Sequence, residues 1–375
     1  MKEIFENCLS LNDKPIDLPN AAGLVLFADS LDRPIALLTA ANIKRVAKTK
    51  LAEKIDPLDS AQGRPNKRAD LKSITAKIYY SPCRCKFRLA VKHFDAVKKV
   101  FGQNYKDHIT LVMPWFIKID LSEKIPFFSV TKKPGFKNNE KTLGPFPGQK
   151  SAITFLKTLE DALGLCRKSD LVNNPTLAAS CPYLQMDACV GVCAGKIPAE
   201  EYKNIIQEAF EAGVNPTNAI EQLQQQMQIA SKELKFEKAA GLKKKTDKLS
   251  VLKKQNYKWT GDLKNLKIVH IDKSVKIKPE GSKKKVQTYA VFVINFFNII
   301  DLGDFTLDNP DSIYEKICAS FENFRNSQEK ITDETIERFS IASYFLYRSK
   351  PSGLWLNTSN GLDKQEFQKT LSVLI

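Results

Sequence analysis

The chain has 375 residues, 43% of them hydrophobic, which suits two or three cored domains and excludes a disordered chain. Its 58 lysines and arginines against 42 aspartates and glutamates give a formal charge of +16, which favours polyanionic partners, nucleic acid first. The opening Met1-Lys2-Glu3-Ile4-Phe5-Glu6-Asn7 lacks the order of a secretion signal, and the most apolar run, 289–300, is too short to span a bilayer, so a cytoplasmic protein is expected.

Two short strands are predicted around Gly23 to Phe27 and Ile35 to Leu38, joined by a polar turn at Asp29 to Arg33 and followed by a lysine-rich helix from about Asn42. The stretch Pro57 to Asp70 is polar and rich in breakers, hence a loop. Residues 86–101 place Phe87, Val91, Phe94, Val97 and Phe101 at helical spacing; strands follow in 110–131, a turn at Gly144-Pro145-Phe146-Pro147-Gly148, and a helix from Gln149 to Leu165. An irregular loop is expected from Asp170 to Ser180. From Ala199 to Leu252 the pattern is nearly continuous helix, broken near Gly213-Val214-Asn215-Pro216 and near Leu234. The remainder alternates strands (Leu266 to Asp272, Val286 to Leu302) with helices (Ile313 to Phe324, Glu334 to Tyr347), which predicts a separate α/β domain.

Eight cysteines in a reducing compartment point to metal or catalysis and away from disulfides. Cys166, Cys181, Cys189 and Cys193 are separated by 14, 7 and 3 residues, so four thiolates can close on one centre without long-range folding. Zinc and an iron-sulfur cluster both suit four thiolates. The lack of a paired Cys-x-x-Cys, and the glycine inside Cys189-Val190-Gly191-Val192-Cys193, lean towards iron-sulfur. Cys83 and Cys85 are read as separate from this group, and Cys8 and Cys318 as packing residues.

Downstream, Ile220, Leu223, Met227, Ala230 and Leu234 form the stripe of a helix packing along a partner, with Asn218 as its expected cap and Glu221 three residues later. Leu234-Lys235-Phe236-Glu237-Lys238-Ala239-Ala240-Gly241-Leu242 then places alanines where a second helix must come close.

These two segments resemble the UvrC/Cho family of nucleotide excision repair. Cys181-Pro182-Tyr183-Leu184-Gln185, Cys189, Cys193-Ala194-Gly195 and Glu200-Glu201-Tyr202 are similar to that family's link between its nuclease and UVR parts. The resemblance implies a 4Fe-4S cluster on Cys166, Cys181, Cys189 and Cys193, with zinc as the alternative. The second segment matches the UVR core Leu-x-Phe-Glu-x-Ala-Ala, which implies a helical hairpin docking a UvrB-like protein through Leu234, Phe236, Glu237, Ala239, Ala240 and Leu242. Here Lys243-Lys244 and Thr246 replace the usual Arg-Asp and a later Ile.

The N-terminal strands resemble the GIY-YIG nuclease fold, with its chemistry emptied. The tyrosine positions fall on Val25 and Ala36, the following glycine on Leu38, the active-site arginine on Val46 beside Arg45, and the metal-binding glutamate on His93. No catalytic residue is therefore assigned. The expected fold class is α/β (α+β): a degenerate GIY-YIG-like domain over 1–150, a cysteine-rich metal segment over 151–212, the UVR hairpin over 213–255 and a separate α/β domain over 256–375. Lys44, Arg45, Lys48, Lys50, Arg64, Lys67 and Arg68 are expected to contact DNA phosphates. The leading expectation is a repair protein that binds DNA and a UvrB-like partner without cutting through its GIY-YIG-like domain. The rivals are an endonuclease with rearranged residues, such as His93 with Asp95 or the acidic segment 301–311, and a protein-binding adaptor that does not act on DNA.

Overall fold

A computed structural model describes residues 3–11, 17–52, 58–59, 64–65, 70–172, 175–278, 281, 284–325 and 331–374. In the N-terminal part, strands β1 (Asn7–Ser10), β2 (Gly23–Ala28), β3 (Pro34–Ala40) and β4 (Lys77–Pro82) form an antiparallel sheet in the order β1-β4-β2-β3. All six residues of β2 are buried because helices cover both faces. Alternate side chains point opposite ways along a strand. Leu24, Leu26 and Ala28 therefore meet Ala96 and Val97 of α2 (Lys86–Phe101), while Val25 and Phe27 meet Ile43, Ala47 and Leu51 of α1 (Ile43–Ala52). Asn42 caps α1, its Oδ1 accepting the Arg45 N–H at 2.9 Å.

The second sheet comprises β5 (Trp115–Asp120), β6 (Ser129–Thr131), β7 (Glu140–Phe146) and β8 (Gly261–Asp262), in the order β8-β7-β5-β6. The turn expected at 144–148 is instead the end of β7. Pro145 is tolerated there because the pairing of β5 with β7 is irregular between Trp115 and Ile117, where a missing N–H breaks no regular ladder. Gly148 starts α3 (Gln149–Leu163). Ile117, Leu143 and Phe146 of this sheet share one core with Phe155 and Leu159 of α3, Tyr202, Ile206 and Phe210 of α4 (Ala199–Val214), and Leu249 and Leu252. That core runs without a break across the divisions expected at 150 and 212.

Helices α5 (Pro216–Lys232) and α6 (Phe236–Ser250) make the hairpin. Its cap is Asn215, not Asn218: the Asn215 Oδ1 accepts the Asn218 N–H at 3.2 Å, and Pro216 takes the first helical position, where its missing donor costs nothing.

The last sheet joins β9 (Ile268–Ile277), β10 (Val286–Ile294), β11 (Ile299–Phe305) and β12 (Leu354–Asn357), all antiparallel, in the order β11-β10-β9-β12. One face packs Val269, Ile271, Val291 and Val293 against α7 (Pro310–Arg325) and α9 (Lys364–Leu371). The other packs Phe292 and Ile294 with Phe339 and Phe345 of α8 (Asp333–Leu346), and also with Phe87 and Phe94 of α2. The C-terminal unit is therefore not separate as expected, because Phe87 and Phe94 of α2 are built into the core on one face of its sheet. Arg88 fastens the same joint, donating to both carboxylate oxygens of Asp301 at 2.5 and 2.7 Å and to Asp304 at 2.6 Å. Among the described residues no helix is long and apolar enough to cross a membrane.

Candidate metal centre and partner-binding hairpin

The four cysteines converge where α3 ends and α4 begins. Gly164 closes α3 in the left-handed conformation (φ 65°), and its carbonyl accepts the Val190 N–H at 2.8 Å, which brings the second half of the segment back onto the first. Cys166 follows; its backbone N–H donates to the hydroxyl of fully buried Tyr202 at 3.2 Å. Tyr202 thus links the Glu200-Glu201-Tyr202 triplet to the cysteines, a role that its place in the sequence pattern did not reveal. Cys181 precedes the short turn Pro182–Gln185, and its carbonyl accepts the Leu184 and Gln185 N–H groups, both at 3.1 Å. Cys193 sits in the turn Val192–Ala194, entered through Gly191 at φ 71°, where an added Cβ would stand 2.9 Å from Leu184 Cδ1. Gly191 is therefore required by this turn itself.

All four cysteines are buried, between 3% and 9% exposed. Burial pushes the Cys166 thiol up to about 11 and raises that of Cys189, with neighbouring cysteines adding to both shifts. Cationic groups border the segment: Arg167 stacks over Tyr183 at 4.5 Å and pairs with Asp161 and Glu160, and Lys196 reaches Asp187 at 3.2 Å. Glu160 is pushed up to about 7 by burial, partly opposed by Arg167.

In the hairpin, Ile220, Ala230, Leu242, Thr246 and Leu249 form the buried faces. Thr246, where an Ile was expected from the resemblance, satisfies its hydroxyl by donating to the Leu242 carbonyl at 3.0 Å. Of the residues expected at a partner interface, Leu242 is interior and Ala239 half-buried, whereas Leu234, Phe236, Glu237 and Ala240 are exposed. The tip is apolar: Ile229 is 57%, Leu234 73% and Phe236 63% exposed. Leu234 turns the chain in the left-handed region (φ 58°), and the Lys235 N–H returns to the Ala230 carbonyl at 2.8 Å.

Of the expected phosphate contacts, Arg45 and Lys48 are exposed on α1, and Lys44 and Lys50 are half-buried; the Arg64 side chain, Lys67 and Arg68 lie outside the described residues, as does most of the loop expected from Pro57 to Asp70. Val25, Ala36, Leu38 and Val46, the positions that the nuclease resemblance would make catalytic, all fall in one apolar cluster with Phe27, Ile43 and Ile78. Hydrocarbon fills that face. The residues of the rearranged-nuclease reading are engaged elsewhere: Asp95 pairs with Arg338, Asp301 and Asp304 with Arg88, and Asp311 with Lys364 at 3.1 Å. His93 is half-buried, and desolvation lowers its pKa.

A buried four-cysteine turn between two helices, followed by a helical hairpin with an apolar tip, makes a candidate metal centre and a candidate docking surface. Residues 115–212 match the UvrC/Cho excinuclease middle domain, and residues 217–255 match the UvrB/uvrC motif. The chain is thus UvrC/Cho-like. It is 28% identical over 231 residues to the UvrABC system protein C of Nautilia profundicola, covering 60% of this chain and 36% of that protein. With the protein of the same name from Campylobacter jejuni (strain RM1221) it shares 30% over 230 residues (60% and 33%), and with that of Methanothermobacter thermautotrophicus 21% over 271 residues (66% and 40%). The chain therefore spans a third to two fifths of the length of these relatives. No solved structure matches it.

Proposed function

We propose that this protein serves nucleotide excision repair in the cytoplasm by binding DNA and a UvrB-like partner, without phosphodiester cleavage by its N-terminal sheet. The observation that carries the reading is the hairpin tip. Ile229, Leu234 and Phe236 stand exposed at the end of a helical pair whose base is fixed in the middle core, the arrangement of an apolar docking surface on a rigid support. Cleavage needs a cation or metal on the developing charge and a group to handle the proton of the attacking water. The positions that would supply them carry Val25, Ala36, Leu38 and Val46. DNA contact is assigned to Lys44, Arg45, Lys48 and Lys50 on α1, with Arg64, Lys67 and Arg68.

Cys166, Cys181, Cys189 and Cys193 are assigned a 4Fe-4S cluster. The spacing of the four cysteines lacks the paired Cys-x-x-Cys of a zinc ribbon, which supports a multinuclear centre over a single zinc. When bound, the cluster would supply a redox-capable anchor for the turn, while Tyr202 and Gly164 orient the ligands' backbone.

The test is capture of UvrB from the same organism by the purified chain, together with incision assays on damaged and branched DNA containing Mg²⁺ or Mn²⁺, with and without UvrA and UvrB. Capture of UvrB, lost in Phe236→Ala, and no cutting by the chain alone are expected. Cutting by the chain alone would establish the endonuclease instead. Capture of another protein with no retention of DNA would make it an adaptor.

A further inference from the structure

We propose that Cys85, His270 and Asp272 bind a divalent cation of the zinc class at the joint between α2 and the C-terminal sheet. One ligand atom from each lies within 4.8 Å of the others, and all three residues are buried. They come from two places far apart in the chain. His270 and Asp272 are two residues apart on β9, so both project from the same face, and Cys85 is the residue that caps α2. The Cys85 sulfur stands 3.9 Å from Asp272 Oδ2 and accepts the Arg88 N–H at 3.5 Å. This group is distinct from the four-cysteine turn, whose residues belong to a different core.

The decisive observation is His270. Its ring is 0% exposed, stacked on Trp355 at 3.7 Å and met edge-on by Phe87 at 5.1 Å. Nδ1 faces the Leu354 carbonyl at 3.0 Å, so the proton belongs on Nδ1 and the lone pair is left on Nε2. Nε2 is buried and has no hydrogen-bond partner. A metal-bound imidazole is held in this manner, one nitrogen donating to a backbone carbonyl and the other turned to the ion. Thiolate, imidazole and carboxylate together form a mixed S, N, O donor set of borderline softness, which selects zinc over magnesium or calcium. Two anionic ligands match the charge of the ion. Arg88 does not compete for the carboxylate, because its donors are committed to Asp301, Asp304 and Ser274.

The experiment loads the intact chain with zinc, removes excess and counts bound metals by mass spectrometry. His270→Gln and Asp272→Asn, both close in size to the native residues, are each expected to hold one equivalent of zinc fewer than the native chain, with iron and sulfide unchanged. Equal zinc in native protein and folded variants overturns the site. Should the variants not fold, as judged by circular dichroism, the native chain loaded with cadmium-113 decides by NMR. A resonance of single-thiolate, mixed-donor coordination supports the site; an all-thiolate resonance alone, or none, overturns it.

Discussion

Leu234 holds a left-handed backbone (φ 58°) and is 73% exposed, so its side chain gains no packing inside the molecule to offset the strain. Such a residue costs about 1 kcal/mol relative to glycine. Leu234→Gly should leave the hairpin as stable or more stable by roughly that amount in urea unfolding, yet weaken capture of a UvrB-like partner. Phe236→Ala should weaken capture by about 10- to 100-fold, the effect of losing a central aromatic anchor. Equal binding by both variants would put the docking surface elsewhere. Glu160 offers a pH reading. Burial raises its folded pKa to about 7 from 4.5, so its neutral form suits the fold. That contribution is fully present below the unfolded value and lost as pH rises through 7. The advantage of Glu160→Gln over the native chain should grow by about 2 kcal/mol between about pH 5 and pH 8, measured by denaturation at each pH.

Among the elements, α2 carries the largest structural load. Its side chains serve the N-terminal sheet through Ala96 and Val97 and the C-terminal sheet through Phe87 and Phe94. Arg88→Met would take the cation from Asp301 and Asp304, leaving Asp304 the Ser274 hydroxyl at 2.7 Å and Asp301 the Gly303 N–H at 2.9 Å. A loss of about 2 kcal/mol is expected in urea titrations, discounted from the full cost of breaking a buried pair because both carboxylates are partly hydrated. On α1, replacing Arg45 and Lys48 by glutamate should flatten the salt dependence of DNA binding by about one unit of slope per lost phosphate contact. An unchanged slope would take DNA off this helix. The bounds of α2 and the breaks on either side of α5 were legible in the sequence, because apolar spacing, Pro216 and the end of the Leu234 stripe are local signals. The path of β7 through Pro145 was not legible. It depends on a pairing irregularity at Trp115 to Ile117, some thirty residues upstream, which no local pattern records.

For the whole molecule, the gathering of the four cysteines could be read from spacing because they lie within 28 residues. The grouping of Cys85 with His270 and Asp272 could not, since it exists only once α2 lies against β9. The supposed independence of the C-terminal unit failed for the same reason: helical periodicity marks Phe87 and Phe94 as core residues without saying whose core. Removing the proposed four-cysteine cluster with an iron chelator under reducing conditions should lower Tm by about 2–3 °C, as expected for a loss of about 2 kcal/mol from a chain of this size. A Tm unmoved by removal would mean that the turn holds its shape without a centre. The return of the chain at β8 carries a mechanical consequence. Gly261 and Asp262 pair with Gly144 and Leu143, so the cysteine turn and the hairpin leave and rejoin the same strand edge. A pull on the tip by a docked partner would reach the molecule as a peeling force on that two-residue clasp, directly beside the joint that α2 makes with the C-terminal sheet.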